Sequence, residues 1–546
     1  MSLNIHHSRR GGKALAEAVR ELYKNGQTDY SLQPIILADE HDSPIRCIQD
    51  GDVVIFCCRR GDREVQLTEA FVDLDYAAFP RHQFDNLIFI MLTLYHEKFK
   101  DLPVAFAPGS VRDTLAETIS RACLRQLHVA ESEKFAHVTF FFNGGRNRPF
   151  EGEDDWEIPS LKGISYEQQP ELSLPQVTEK ILKGIDMGYG FIVANFANGD
   201  VIGHTSNRAA KIRCATVVDQ HLGAVVRTAT SENYVTLITA DHGNLEALYT
   251  PDGYPHVAHT TNLVPFILID PQASSPLNLS LSGNLADIAP TILEALGIGA
   301  PEGMTGASLM PGHDWGGLRK VLLLILDGWG VGEYGPGNPI FLADTPIWDD
   351  LLRSYPCSQI KAAGEAVGLK TGKVGNSEAG HMNIGAGRVV LQDDVRLDQA
   401  IQDGSFYTNE TLVQAIQEAK HRQTALHLIF LLTEKSSHGS VDYPLMILRM
   451  AKANSLEDVF LHAIFDGRST QPGSAPVMLE KLERQVAEIG VGQIVTGMGR
   501  GIALDRDRNY AKTQQAYDAL VFGRGIHYPF DGASTPLNLQ TVRGKS

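Results

Sequence analysis

The run VLLLILDGWG, residues 321–330, joins six consecutive apolar residues to an acid and two glycines. A short apolar run closed by turn residues reads as a strand buried on both faces, as in a parallel sheet. In open α/β sheets, ligands gather at the carboxyl ends of the strands, so Asp327 is a candidate functional residue from its position alone. Other runs repeat the pattern: DVVIFCC (52–58), HVTFFF (137–142), GFIVANF (190–196), YVTLITA (234–240), VPFILI (264–269), LHLIFLL (426–432) and VFLHAIF (459–465). Helical patterns such as GGKALAEAVRELYKNG and LADIAPTILEALG lie between them. The predicted fold class is therefore α/β, built on doubly wound sheets.

At 546 residues the chain is long enough for two or more domains. A Gly- and Pro-rich stretch over 301–320 precedes the 321–326 strand and reads as a linker. The formal net charge of −17 argues against a surface that tracks nucleic-acid phosphates. Six scattered cysteines with no CxxC pair form no disulfide framework and suit a reducing compartment. The opening MSLNIHHSRRGG lacks the apolar core of a signal peptide, and no run approaches the roughly 18 apolar residues of a membrane span. A cytoplasmic monomer without nucleic-acid or membrane partners is the expectation.

The other strand ends carry metal chemistry. FIVANFANGDVIGH supplies Asp200 and His204, YVTLITADHGN supplies Asp241 and His242, and HVAHTTN adds His259. Asp270 also ends a strand, but a proline follows and no histidine is near, so it reads as a turn residue. Three aspartates and three histidines make a plausible two-metal site. Imidazole and carboxylate together suit Mn²⁺ or Zn²⁺ better than Mg²⁺ alone. Two such ions can clamp both oxygens of an in-line phosphoryl displacement.

VGNSEAGH, residues 374–381, fits beside them. It narrowly misses the Gly-x-Ser-x-Gly elbow, because Ala379 holds the last glycine position. A serine at a helix N-terminus explains it as an ordinary cap; a serine activated by a metal explains it as a nucleophile that needs no histidine base. Anion-binding candidates follow further strands: Arg60 and Arg63 in RRGDR, Arg468 in FDGRST, and Arg500 and Arg506 in GMGRGIALDRDRNY. Guanidinium groups bind phosphate and carboxylate bidentately.

DGWG, GNSEAGHMNIGAGR, DGR, RRGDR, AESEKFAHVTFFFNGG, ANGDVIGHT, TADHGN and AHTTN together resemble the cofactor-independent (2,3-bisphosphoglycerate-independent) phosphoglycerate mutases of the alkaline phosphatase superfamily. The resemblance spans nearly the whole chain, but in rotated order, like a circular permutant with its usual termini fused near 310–320. It implies a continuous phosphatase domain over 109–391 and a transferase domain split between 1–108 and 392–546. It implies one divalent ion on Asp200, His204 and His259, and a second on Asp327, Asp241, His242 and Ser377. Mn²⁺ is the expected ion, with Zn²⁺, Co²⁺ and Mg²⁺ as alternatives. His438, Arg468, Arg500, Arg506, Arg60 and Arg63 would bind the glycerate portion of a small phosphorylated substrate, with Lys134 reaching in from the phosphatase domain. Ser377 would carry the phosphoryl group while 3-phosphoglycerate becomes 2-phosphoglycerate.

Two positions depart from the family pattern. Ser469 stands where the family has an aspartate after DGR, and Ser440 in TEKSSHGS (433–440) replaces a second histidine. Both lie with the glycerate-binding residues. A metal-dependent phosphatase, or a mutase for another small phosphate ester, is the alternative reading.

Overall fold

The computed structural model describes residues 10–531 apart from 60, 108–110, 162, 164, 274–276, 435 and 437. The chain divides into two compact units, one formed by residues 1–108 and 396–546 and the other by 109–395.

The 109–395 unit is built on an eight-stranded sheet, ordered Ser282–Asn284, Cys357–Lys361, Val264–Ile269, Tyr234–Thr239, Lys320–Leu326, Phe191–Phe196, Gln126–Glu131 and Glu153–Ile158. The five strands from Tyr234–Thr239 to Glu153–Ile158 are parallel. Val264–Ile269 runs antiparallel to both of its neighbours. The Lys320–Leu326 strand is central, and Val321 to Leu326 are at most 1% exposed. Burying each such side chain contributes about 1.5–3 kcal/mol. This explains why the run is apolar without alternation: helices cover both faces of a parallel sheet. The 301–320 stretch is packed against this unit, with Leu309, Met310 and Trp315 buried. Asp270 is likewise no simple turn residue, because it is buried and faces Arg319 and His313.

Residues 137–142 differ from the strand expectation. His137–Phe141 is a π-helical turn, and the sheet position is taken by Gln126–Glu131. Short apolar runs do not by themselves distinguish strand from buried helix.

The other unit also carries an eight-stranded sheet, ordered Ile526–Pro529, Ile35–Ala38, Gln493–Gly499, Val459–Phe465, Leu426–Leu432, Val53–Phe56, Ile88–Thr93 and Val104–Phe106. All pairs are parallel except Ile35–Ala38 with Gln493–Gly499. Among the described residues, no helix is long and apolar enough to cross a membrane.

Candidate metal centre

Three adjacent parallel strands place three acids together. Lys320–Leu326 pairs with Phe191–Phe196 on one side and Tyr234–Thr239 on the other, in register up to Leu326–Phe196 and Ile325–Thr239. Asp327, Asp200 and Asp241 follow these strand ends directly or within one short turn. All three are buried, at 0%, 7% and 0% exposure.

The histidines converge on the same point. His242 Nε2 lies 3.4 Å from Asp241 Oδ2, 3.6 Å from Asp327 Oδ1 and 3.8 Å from Asp200 Oδ1. His259 Nε2 is 2.9 Å from Asp200 Oδ1. His204 Nε2 is 3.2 Å from the same oxygen and 3.1 Å from His259 Nε2. Each ring is oriented from behind. Nδ1 of His204 donates to Val257 O at 3.0 Å, and Nδ1 of His259 donates to Gly375 O at 2.8 Å. His242 Nδ1 faces Gly243 O at 3.3 Å. These bonds leave the three Nε2 atoms facing the acids, the arrangement seen where an imidazole is held for a metal.

Ser377 enters on the first turn of the helix Ser377–Ala386. The cap is the preceding residue: Asn376 Oδ1 accepts from Ala379 N–H at 2.8 Å, which leaves the serine hydroxyl for other partners. Gly380 lets this helix approach the strand-end loop, because a Cβ there would stand 2.6 Å from Asp241 O. Ser377 Oγ lies 3.0 Å from His242 Nε2 and 3.3 Å from Asp327 Oδ1.

Lys134 belongs to the same cluster. It is 5% exposed, and its Nζ donates to Asp200 Oδ2 at 2.6 Å, Ser377 Oγ at 2.7 Å and Asp327 Oδ1 at 2.8 Å. Burial opposes ionisation of Asp200, but the Lys134 ammonium and the His204 and His259 rings outweigh it and hold its pKa well below the carboxylate range. Asp241 is likewise held low: His242, His381 and Lys134 overcome its burial. Asp327 is pushed up by burial and by Asp241. Burial would lower the Lys134 pKa, but the surrounding aspartates raise it, so the ammonium stays charged.

Sequence reading missed three residues that support these ligands. Asn195 Nδ2 donates to Asp327 Oδ2 at 2.7 Å and faces His381 Nε2 at 3.0 Å. His381 Nδ1 donates to Ser377 O at 2.9 Å, and Asn244 Nδ2 donates to Asp200 Oδ1 at 3.1 Å. A signal existed for Asn195, the one amide in the apolar run FIVANF, and for His381, one helical turn beyond Ser377.

The donors fit divalent ions. Two overlapping sets, Asp200–His242–His259 and Asp241–His242–Asp327, each bring their ligand atoms within 4.8 Å of one another. Asp241 Oδ2 is buried and accepts no hydrogen bond among the described residues. Such an oxygen is costly without a compensating cation.

In the other unit, the predicted anion-binding residues follow four adjacent parallel strands. Arg500 is 1% exposed and ion-paired with Asp466; its Nε and Nη2 are buried without a hydrogen-bond partner among the described residues. Arg63 is buried and donates to Leu504 O at 3.1 Å. His438 is buried, with Nδ1 3.4 Å from Glu64 Oε1. Ser436 Oγ and Ser469 Oγ are 3.3 Å apart. Arg468, Ser469 and Arg506 are exposed, and Arg60 lies outside the described residues.

Fold and donor set define an α/β protein with a carboxylate–imidazole metal centre. Residues 14–300, more than half of the chain, match the family model of the metalloenzyme superfamily, and residues 397–539 match that of the BPG-independent PGAM N-terminus. The chain belongs to the metalloenzyme superfamily. It is similar to a 2,3-bisphosphoglycerate-independent phosphoglycerate mutase of Moorella thermoacetica, with 45% identity over 54% of this chain and 57% of that protein. The mutase of the same name from Flavobacterium psychrophilum is 42% identical over 55% of this chain and 59% of its own length. The chain thus spans less than two thirds of the curated relatives it matches. A solved structure of Leishmania mexicana phosphoglycerate mutase at low cobalt concentration is 28% identical, with 50% of this chain and 53% of that one covered and a TM-score of 0.40.

Proposed function

We propose that this chain interconverts 3-phosphoglycerate and 2-phosphoglycerate through a phosphoserine on Ser377, as a 2,3-bisphosphoglycerate-independent phosphoglycerate mutase. The observation that carries the reading is the convergence of Ser377 Oγ, Lys134 Nζ, His242 and the three aspartates at the strand ends. The names of the similar proteins support the substrate.

Asp200, His204 and His259 would hold one divalent ion, and Asp241, His242, Asp327 and Ser377 a second, with Mn²⁺ as the preferred metal. When bound, the ions supply Lewis-acid charge at the phosphoryl group and favour ionisation of a nearby hydroxyl. The remaining work belongs to the chain. Lys134 orients the Ser377 hydroxyl and brings positive charge to where phosphoryl oxygens would lie. The Ser377 proton has carboxylate and imidazole acceptors within 3.3 Å. Burial of Ser377, at 6% exposure, limits access of water. The 109–395 unit would serve as the phosphatase domain and the other unit as the transferase domain. There His438, Arg60, Arg63, Arg468, Arg500 and Arg506 would bind the glycerate portion. Arg500 supports this role through two buried donors, which an anion would satisfy.

A rotated gene order is part of the proposal. A model for the N-terminus of the BPG-independent enzymes matches residues 397–539, downstream of the metalloenzyme match over 14–300. The working form is taken to be a cytoplasmic monomer.

Ser469 favours a second reading, a phosphatase or a mutase for another phosphate ester, because its only described side-chain partner is another hydroxyl, that of Ser436. One assay separates the two: purified protein with Mn²⁺ and 3-phosphoglycerate, followed for both 2-phosphoglycerate and free phosphate. Phosphate without 2-phosphoglycerate overturns the mutase reading.

A further inference from the structure

Glu246 takes no part in the proposed ligand set, yet its carboxylate joins three of the segments that carry proposed ligands. It is 3% exposed. Its Oε2 accepts from Asn244 N–H at 2.8 Å, in the segment bearing Asp241 and His242. The same oxygen accepts from Gly330 N–H at 3.0 Å, in the segment bearing Asp327. Oε1 accepts from the Thr260 hydroxyl and, at 2.8 Å, from Asn262 Nδ2, in the segment bearing His259. Four donors from three segments, one of them Glu246's own, meet on one side chain.

Two motif glycines exist to admit it. A Cβ at Gly330 would stand 2.3 Å from Glu246 Cδ, and a Cβ at Gly243 would stand 2.4 Å from Glu246 Oε1. The backbone hydrogen bonds run the same way: Asn244 and Leu245 N–H both donate to Gly328 O, and Thr260 N–H donates to Gly243 O. Behind the cluster, the buried Lys211 ammonium donates to His256 O at 2.7 Å and Ala247 O at 3.3 Å, closing the loop that leads to His259.

We infer that Glu246 is a positioning residue of the metal centre: it fixes the spacing of Asp241, His242, Asp327 and His259 before metal binds, without ligating metal. The inference rests on the metal-centre reading of the site. A carboxylate suits this task because it accepts four hydrogen bonds and donates none, so no donor in the cluster is left unmatched. Glutamine in its place would set an NH₂ group at one oxygen position, where two of the four donors point, so those two bonds could not form as they stand.

The test is Mn²⁺ binding to metal-free protein, followed by the electron paramagnetic resonance of free Mn²⁺ and by calorimetry, with circular dichroism confirming the fold. Glu246→Gln should weaken Mn²⁺ affinity about 10–100-fold, the size of effect typical of residues that orient ligands. Excess Mn²⁺ should restore part of the lost activity. A merely structural role would lower the melting temperature and leave the Mn²⁺ affinity of the folded protein unchanged, and that result overturns the inference. Should Glu246→Gln not fold, Thr260→Val removes one donor to Glu246, together with the acceptor of Asn262 N–H at 3.3 Å. It should weaken Mn²⁺ binding in the same direction, and unchanged affinity overturns the inference equally. A wild-type chain that binds no Mn²⁺ overturns the metal-centre reading itself, whereas normal wild-type binding with an unaffected variant overturns only the role of Glu246.

Discussion

Lys134 Nζ stands 2.7 Å from Ser377 Oγ while also donating to Asp200 and Asp327. One ammonium thus ties the proposed nucleophile to two of the three acids, and it does so from inside a buried site. Removing it leaves buried carboxylates short of positive charge, which is far costlier than losing a surface ion pair. Lys134→Met should lower kcat for 2-phosphoglycerate formation by about 10²–10³-fold, comparable to the loss of one preorganised charge-stabilising donor. Steady-state kinetics at saturating Mn²⁺ measures it, and a kcat within a few-fold of wild type contradicts the role.

Ser377→Ala should eliminate phosphoryl transfer and leave the fold intact. The change deletes a hydroxyl on the first helical turn, while the capping bond from Ala379 N–H to Asn376 is untouched. Net loss of its hydrogen bonds should cost about 1–3 kcal/mol. Mass spectrometry of acid-quenched wild-type protein should find phosphate on the peptide containing Ser377. Phosphate on a different residue shows the assignment to be wrong.

Exhaustive chelation should abolish activity, and Mn²⁺ should restore it. Asp200→Asn should weaken metal binding even though its volume is nearly unchanged, because the carboxylate oxygens face His204, His259 and Lys134 together. Turnover that survives complete chelation contradicts the metal requirement.

Asp155 offers a pH test away from the metal centre. Burial, offset in part by His128 and reinforced by Glu153, raises its pKa from the ordinary 3.8 to about 6. Folding therefore favours its protonated form. The stabilisation is fully present below pH 3.8 and is lost as pH rises through about 6. Asp155→Asn keeps a neutral donor beside Glu153 and removes this dependence. Its melting temperature should exceed that of wild type above about pH 6, and the difference should vanish toward pH 4. A constant difference across that range refutes the assignment.

Ser469→Asp tests the second reading. A serine cannot give the general-base help that a carboxylate supplies, typically worth about 10²–10⁴-fold. If the mutase reading holds and the serine limits it, the variant should raise the ratio of 2-phosphoglycerate to free phosphate. A lower ratio points to a pocket adapted to serine and a different phosphate ester.

The amino-acid sequence determined the α/β class, because unbroken apolar runs can be buried only where both faces of a strand are covered. It also placed Asp327, Asp200, Asp241 and His242 at strand ends, since the acids follow the runs directly or within four residues. Other strands were hidden. Gln126–Glu131 is wholly buried yet carries Gln126, His128 and Glu131. Their hydrogen bonds to Ala116 O, Val138 O and Ser160 Oγ are tertiary and leave no periodic trace. With that strand between Phe191–Phe196 and Glu153–Ile158, the apolar run at 137–142 had no sheet position and closed into a helical turn instead. Only the tertiary structure decided which strand ends become neighbours. It also set Lys134, which reads as a surface lysine in ESEKF, among three carboxylates, and turned Asn195 and His381 toward Asp327 and Ser377. Strand order and side-chain direction depend on packing between segments far apart in the chain, and no local pattern encodes them.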